Sequence, residues 1–553
     1  MKHVIIGGVA GGATAAARIR RNDESAQIII LEKEDYISYA NCGLPYHIGG
    51  VIPERRNLLL QTPQSFRQRF NIDVRVKNEA VSIDIKNKTV RIRNAQNTEY
   101  EEHFDKLLLS PGAVPFIPPI EGVGLEGIFT LRNVDNTDAI KNYIDSRNAK
   151  KAIVLGGGFI GLEMVENLHH LGIDVTIVEK FNQVKHALDF SMATMLHEHL
   201  VNKGIKLYLE NEIISFSQKG GQIEAQLKSG ATLETDMVIL SIGVRPFTRL
   251  AEEAGIKLGE TKGIWVDRYL QTSAEDIYAV GDAIEFPHPV TGKPWLNYMA
   301  NPANRQAVIA ANNMVFGNSE KYEGAIGTAI AKVFGLTAAA AGLNAKRLKD
   351  LKIPYQSVYT HGYSHANYYP GAALLSIKLT FDPKTGKLYG GQFVGAKGVD
   401  KRVDQVSLII KKGGTIHDLM QLEQAYAPPY SSAKDSLAIA GYVARNIITG
   451  KMPVIYWRQM SEANPDKVFI LDVRTKQEFI LGAIEGANLI PMEEIRSRLD
   501  EIPRNKPIYI YCHSGIRGYL AQQILIKNGF ENIYNLSGGY ETYRRATRLY
   551  HHS

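Results

Sequence analysis

Ala152-Ile153-Val154-Leu155-Gly156-Gly157-Gly158-Phe159-Ile160-Gly161 is the stretch that decides the fold. An apolar strand runs into Gly156-x-Gly158-x-x-Gly161, and a helical pattern follows to about Leu171. Glycines at this spacing allow a tight turn and close backbone approach to a pyrophosphate, which the helix N-terminus then faces. A second strand, Val175–Val178, ends at Glu179, 18 residues after Gly161. A carboxylate there binds ribose hydroxyls and disfavours a 2′-phosphate, so NADH is the expected ligand; Lys180 leaves NADPH possible. Gly156, Gly158, Phe159, Ile160, Gly161, Glu179 and Lys180 are the expected contacts.

The N-terminus repeats the layout. Val4–Ile6 leads into Gly7-Gly8-Val9-Ala10-Gly11-Gly12, a helix to about Arg21, and a strand Ile28–Leu31 ending at Glu32. Val9 takes the middle glycine position, yet Glu32 stands where the ribose carboxylate belongs. Cys42 follows ten positions later, in Ser38-Tyr39-Ala40-Asn41-Cys42-Gly43-Leu44-Pro45-Tyr46; the chain's other cysteine, Cys512, lies far downstream. A thiol beside a dinucleotide turn, with no second cysteine near it, points to electron transfer to sulfur supplied from outside the chain. Two further segments fit this frame: Leu109-Ser110-Pro111-Gly112-Ala113, and Thr272–Ala283, a strand ending in Gly281-Asp282.

Strands alternating with helices predict α/β architecture with parallel sheets covered on both faces. At 553 residues several domains are expected. The reading is a dinucleotide-binding domain over 1–112 and 243–321, a second over 113–242, and an α+β domain over 322–445. A linker, 446–454, then leads to a C-terminal α/β domain over 455–553. Segments 111–122 and 243–249, rich in Pro, Gly and Arg, are the crossings. No apolar run approaches the roughly 20 residues of a membrane span. The strand at Val4 leaves no room for a signal peptide. A net charge of +7 without a basic tract or aromatic platform argues against nucleic acid. Two cysteines in unlike contexts suit a reducing cytoplasm rather than a disulfide. No residues are assigned to a metal.

Taken in order, the first glycine turn, the cysteine segment, the second glycine turn and the Gly-Asp strand resemble the two-dinucleotide flavoprotein disulfide reductases, over residues 1 to about 445. The resemblance implies FAD at the first turn, held by Gly7, Val9, Ala10, Gly11, Gly12, Glu32, Lys33 and Ala80. It adds Ser110, Pro111 and Gly112, with Gly281, Asp282 and Ala283 from the Gly-Asp strand, and Gly243 as a further cofactor contact at the other crossing. Most of that family use a Cys-x4-Cys pair, but here His47 stands at the second position. A lone cysteine leaves two branches: NADH oxidases and peroxidases cycling a sulfenic acid, and coenzyme A disulfide reductases cycling a mixed disulfide with CoA. Peroxidase-type relatives carry His where this chain has Ala10, whereas the Gly-x-Val-x-Gly-Gly turn of the CoA disulfide reductases matches Val9, Gly11 and Gly12.

That second resemblance implies CoA contacts at Thr14, Arg18, Arg21, Ser38, Asn41, Asn304 and Lys434; Phe70 replaces a further lysine. Arg18 and Arg21, one turn apart, can share a face, though taken alone they also read as solvated helix residues. It further implies a homodimer in which Tyr368 and Tyr426 reach the partner subunit's cysteine, a phenol being able to protonate a leaving thiolate. Tyr369 and Tyr430 are the alternatives.

Asp472-Val473-Arg474, Gly482–Ala487, Tyr511-Cys512-His513-Ser514-Gly515-Ile516-Arg517 and Leu536-Ser537-Gly538-Gly539 resemble a rhodanese domain. There Cys512 is expected to hold a persulfide, with loop N–H groups and Arg517 lowering the thiol pKa. A phosphatase Cys-x5-Arg loop competes. The whole resembles a coenzyme A disulfide reductase fused to rhodanese, which implies NAD(P)H-dependent reduction of CoA disulfide, CoA persulfide or polysulfide. The rivals are an NADH oxidase or peroxidase, and a sulfur-trafficking or sensing protein.

Overall fold

Lys2–Ile6 forms the central strand of a five-stranded parallel sheet ordered Ile277–Ala279, Lys106–Leu109, Lys2–Ile6, Gln27–Glu32, Asp73–Val76. The structure is a computed structural model that describes residues 1–548; the last five residues expected in the C-terminal domain, 549–553, lie outside the described residues. Val4, Ile5 and Ile28 to Leu31 are buried without alternation, as strands covered on both faces must be. Helix Ala10–Asn22 opens immediately after the first glycine turn and packs on helix Ala300–Phe316. In the second nucleotide fold Asp174–Val178, Lys151–Leu155, Met237–Leu240 and Ile128–Thr130 are parallel neighbours, and helix Phe159–His170 follows the glycines. The strand expected to begin near Thr272 is shorter, Ile277–Ala279. Thr272 and Ala274 bond to each other across a turn, and Asp276 sits at a left-handed φ of 63°.

The chain divides into two compact units, Met1–Lys180 with Asn211–Gly327, and Phe181–Glu210 with the residues from Thr328 on. Phe181–Glu210, inside the second nucleotide domain by sequence, thus belongs to the C-terminal unit. Its helix Phe190–Asn202 explains why. Asp189 pairs with buried Lys378 at 2.7 Å and accepts from Gln392 at 2.6 Å, and Ser191 Oγ lies 2.8 Å from the Tyr359 hydroxyl.

In that unit five antiparallel strands run in the order Ala329–Val333, Leu336–Gly342, Leu388–Gly395, Leu374–Phe381, Gln356–Tyr363. Helices Val399–Lys411 and Ser436–Ile448 pack on this sheet. The C-terminal segment builds a parallel sheet ordered Val454–Ile455, Ile533–Leu536, Ile508–Tyr511, Phe469–Asp472, Asn488–Leu489. The expected linker at 446–454 is the end of helix Ser436–Ile448 running into the first of these strands. Among the described residues no helix is long and apolar enough to cross a membrane.

Candidate active site

The first glycine turn and Glu32 follow the C-terminal ends of strands Lys2–Ile6 and Gln27–Glu32, the edge at which α/β folds bind ligands. Gly7 has φ 96°, and a Cβ there would stand 2.1 Å from the Ser110 carbonyl oxygen. A Cβ on Gly12 would meet the Gly7 carbonyl oxygen at 1.8 Å, and one on Gly11 the Ser110 hydroxyl at 2.6 Å. Val9 caps the helix and Ala10 is its first residue. Ser110 N–H donates to the Ile6 carbonyl at 2.8 Å, with Pro111 and Gly112 following at φ 71° for the glycine. Glu32 accepts the Gly8 N–H at 2.8 Å and the Glu34 N–H at 3.0 Å; burial pushes its carboxyl up against these donors. Lys33 lies 4.8 Å over the Phe247 ring, and Ala80 is in the adjoining strand Glu79–Asp84.

Gly281 donates its N–H to Gln306 at 2.7 Å in a short turn Gly281–Ala283, where Ala283 is buried. Asp282 has no protein hydrogen-bond partner among the described residues, and burial alone pushes its carboxyl up to about 6. A partnerless carboxylate beside a cradle that tolerates no Cβ fits the hydroxyl-rich chain of a flavin dinucleotide.

The second cradle obeys the same constraints. Gly156 has φ 103°; a Cβ on Gly161 would stand 2.0 Å from the Gly156 carbonyl oxygen. Gly158 caps the helix that Phe159 and Ile160 begin, and Glu179 accepts the Gly157 N–H at 2.8 Å. Gly243, φ 116°, follows the strand Met237–Leu240. Lys180, expected to accommodate a 2′-phosphate, instead pairs with Glu212 at 3.1 Å. Lys180 and Lys228 lower that carboxyl from its ordinary value.

Cys42 stands in the turn Asn41–Gly43, whose chain then enters helix Leu44–Ile48 with Pro45 in its first turn. Ser38 N–H donates to the Gly8 carbonyl at 2.8 Å, so the cysteine segment is tied to the first glycine turn. Asn41 Nδ2 donates to the Arg132 carbonyl at 3.4 Å. Cys42 is exposed in the single chain, while His47, in the second-cysteine position, is buried with Nδ1 2.7 Å from the Ile52 carbonyl. Partial burial, then Glu163 and Asp282, push the Cys42 thiol up. The Tyr46 hydroxyl donates to Glu163 at 3.3 Å and is itself pushed up to about 12, by burial and then by Glu163. Glu163, on helix Phe159–His170, escaped the sequence reading, because only packing sets it beside Tyr46 and Cys42.

Of the residues assigned to CoA, Thr14 and Asn304 meet directly, hydroxyl to amide oxygen at 2.6 Å. Arg18 and Arg21 do not share a partner. Arg18 Nε donates to Asn312 at 2.8 Å across the helix pair, whereas Arg21 is exposed. Phe70 packs against Phe66 at 5.2 Å. Lys434 is exposed in the other unit.

In the C-terminal unit the Tyr368 and Tyr426 hydroxyls lie 3.0 Å apart, both rings exposed. That bond raises the Tyr368 phenol. Tyr369 instead packs on the His365 ring at 5.9 Å, and Tyr430 stands apart with its carbonyl accepting Lys401 at 2.8 Å. The two loops are clamped by Arg402. Its guanidinium is fully buried, donating to Asp435 at 2.5 and 3.0 Å and to the Ser364 carbonyl at 2.9 Å. Ser431 joins them, donating its hydroxyl to Asp435 at 2.7 Å and accepting the Ala366 N–H at 3.0 Å.

Cys512 is buried at the end of strand Ile508–Tyr511, and the Gly515 N–H donates to its sulfur at 3.1 Å. Arg517, expected to lend its charge to that sulfur, gives it instead to a carboxylate. Glu478 takes both its amino groups at 2.6 and 2.7 Å and is itself drawn down to about 2. A reciprocal Thr475–Glu478 cap aims this carboxylate. The phosphatase reading also fails on count, since only residues 513–516 separate Cys512 from Arg517, one short of Cys-x5-Arg. Asp472 and Arg474 form a buried pair at 2.7 Å under the loop, with Arg474 4.1 Å over the Tyr540 ring.

Residues 1–307 match the family described as pyridine nucleotide-disulphide oxidoreductase, 328–438 its dimerisation domain, and 454–546 the rhodanese-like domain. The coenzyme A disulfide reductase of Staphylococcus haemolyticus is 36% identical over 449 residues, 81% of this chain and 100% of that one. An NADH oxidase of Methanocaldococcus jannaschii is 35% identical over 82% of this chain and 100% of its own length. The structure of reduced Bacillus anthracis CoADR-RHD superposes with a TM-score of 0.96 at 46% identity, covering 99% of this chain and 98% of that one. A NAD-dependent persulfide reductase from A. fulgidus superposes at 0.93 with 38% identity over 98% and 100%. The chain belongs to the pyridine nucleotide-disulphide oxidoreductases, in the form that carries the family's dimerisation domain and a rhodanese-like domain after it.

Proposed function

We propose that the protein is a cytoplasmic homodimer that uses NADH, and NADPH less well, to reduce CoA disulfide and CoA persulfide or polysulfide at Cys42. The carrying observation is that a lone thiol at the edge of a flavin-type cradle has no resolving cysteine, because Cys512 is committed to its own loop. FAD, when bound, relays the two electrons of a nicotinamide hydride to sulfur.

The chain's part is to hold the thiol and manage protons. Cys42 thiolate attacks CoA disulfide, forming Cys42–S–S–CoA and expelling one CoA thiolate. Two electrons then cleave the mixed disulfide, and two protons, one to each sulfur, give thiols. Tyr368 and Tyr426, whose hydroxyls share one hydrogen bond, pass a proton to the departing CoA sulfur of the partner subunit's site. Thr14, Arg18, Arg21, Asn304 and Lys434 hold the nucleotide end. With CoA persulfide the second product is sulfide. Cys512 carries sulfane sulfur, and the flexible pantetheine arm travels between the two thiols; covalent tethering of the domains keeps the local concentration high.

Two measurements test this. Intact mass of the purified protein, before and after reductive release, reports whether Cys42 carries CoA. Steady-state rates of Cys42→Ser should fall to background with every sulfur acceptor, whereas Cys512→Ser should slow only persulfide and polysulfide turnover. NADH consumption coupled to water or peroxide formation at the full rate without any CoA compound would instead establish the NADH oxidase reading, which the Methanocaldococcus relative favours.

A further inference from the structure

The turn that closes over Cys512 is also the surface by which the rhodanese-like domain docks on the antiparallel sheet. On its inner side, Tyr540 N–H donates to the Cys512 carbonyl at 2.8 Å and Glu541 N–H to the His513 carbonyl at 3.0 Å. Gly539 comes so near that a Cβ would stand 2.6 Å from both carbonyl oxygens. On its outer side, Ser537 Oγ accepts the Tyr359 N–H at 3.1 Å, and a Cβ on Gly538 would stand 2.8 Å from that of Tyr359. His361 completes the junction. Its Nδ1 lies 2.8 Å from Ser376 Oγ and its Nε2 2.8 Å from Thr542 Oγ1, both hydroxyl-bearing residues being buried. Thr542 N–H returns to the Gly538 carbonyl at 3.4 Å.

We propose that His361 is a positioning residue for the Cys512 loop, holding Thr542 and with it the Gly538–Thr542 turn, so that the sulfur-transfer site is complete only when the domain is docked. Both ring nitrogens are used, and a neutral imidazole with one donor and one acceptor suits two hydroxyl partners. Burial, the Arg545 charge and His513 keep the ring neutral. Docking elsewhere is polar too: Glu198 takes Arg544 at 3.0 Å and Arg545 at 2.6 Å, and the Tyr456 hydroxyl donates to the Ser357 carbonyl at 2.8 Å. The Glu198 contact reaches the His513 carbonyl only by way of Arg545 and the Glu541 side chain; the His361–Thr542 link does so through one short turn.

This rests on the reading of Cys512 as the sulfane-sulfur thiol, and the test separates the two. The full-length flavoprotein is mixed with thiosulfate. Cys512 thiolate takes the outer sulfur, forming a Cys512 persulfide anion and releasing sulfite, and intact mass follows the gain of one sulfur atom. His361→Leu and Thr542→Val should each slow loading about tenfold or more, and His361→Gln, which keeps a donor and an acceptor, should recover most of it. NADH-dependent reduction of CoA disulfide should stay at the wild-type rate, and amide exchange at Tyr540 and Glu541 should quicken in the two slow variants. Wild-type loading with unchanged rates in both variants overturns the proposal alone, as does equal loss of both activities with a lowered Tm. Absence of loading in the wild type removes the reading of Cys512 and the proposal with it.

Discussion

Two carboxylates, Glu163 and Asp282, act on Cys42 through their charge, and Tyr46 donates its hydroxyl to the first of them. A thiol among such groups and partly withdrawn from water resists losing its proton. Replacing Glu163 by Gln should therefore lower the pH midpoint for alkylation of Cys42 by iodoacetamide, with Tyr46→Phe in between. The profile is measured by mapping the modified peptides across pH, which also separates Cys42 from Cys512. Identical profiles for Glu163→Gln and wild type would mean the carboxylate does not act on the sulfur. Tyr368→Phe and Tyr426→Phe belong to this scale as well. If their hydroxyls deliver a proton, each should reduce kcat with CoA disulfide by about 10²-fold, with KM little changed. Tyr369→Phe and Tyr430→Phe should behave as wild type, since neither hydroxyl joins the pair.

Loops hold these phenols, and what holds the loops is one buried ion pair. Arg402, on helix Val399–Lys411, and Asp435, capping helix Ser436–Ile448, connect the two tyrosine-bearing segments through Ser364 and Ser431. Removing one partner leaves the other charge buried and alone, so Asp435→Ala should cost about 3–5 kcal/mol of stability in denaturant titration. His361 carries the element-scale prediction in pH. Burial pushes its imidazole down to about 3 from an ordinary 6.5, so the folded state binds fewer protons than the unfolded one between these values. Stability from this ring is intact above pH 6.5 and declines as pH falls toward 3. The groups facing it are Arg545, His513 and, through Arg545, Glu541. His361→Gln should flatten the fall of Tm between pH 6.5 and 4 relative to wild type; parallel curves would show that the ring does not titrate on unfolding.

At the scale of the whole molecule, each unit gathers its own half of the chemistry. Met1–Lys180 with Asn211–Gly327 holds both cradles and Cys42, while the other unit holds the tyrosine pair and Cys512. The segment Phe181–Glu210 shows how chain order and packing diverge. It continues the second nucleotide fold in sequence, but its Asp189 and Glu198 find their cations, Lys378 and Arg545, in the C-terminal unit. Glu198→Ala removes the acceptor of Arg544 and Arg545, and should expose the docking face of helix Gly539–Thr547 to limited proteolysis without altering NADH-dependent CoA disulfide reduction.

The nucleotide cradles were legible in the chain because their chemistry is local: a strand, three glycines and a distal carboxylate lie within one contiguous unit, and backbone sterics leave little freedom. The lone cysteines were legible for the same reason, since scarcity is a property of composition. What could not be read was partnership across long separations. Glu163 acting on Cys42, Lys180 given to Glu212, Arg517 shared with Glu478, and His361 bound to Thr542 each depend on which remote charge or hydroxyl packing brings near. Hydrogen bonds act only at contact and screened charges over little more, so the strand-and-turn pattern set where the cofactors belong, and the tertiary structure alone decided which side chains tune the two sulfurs.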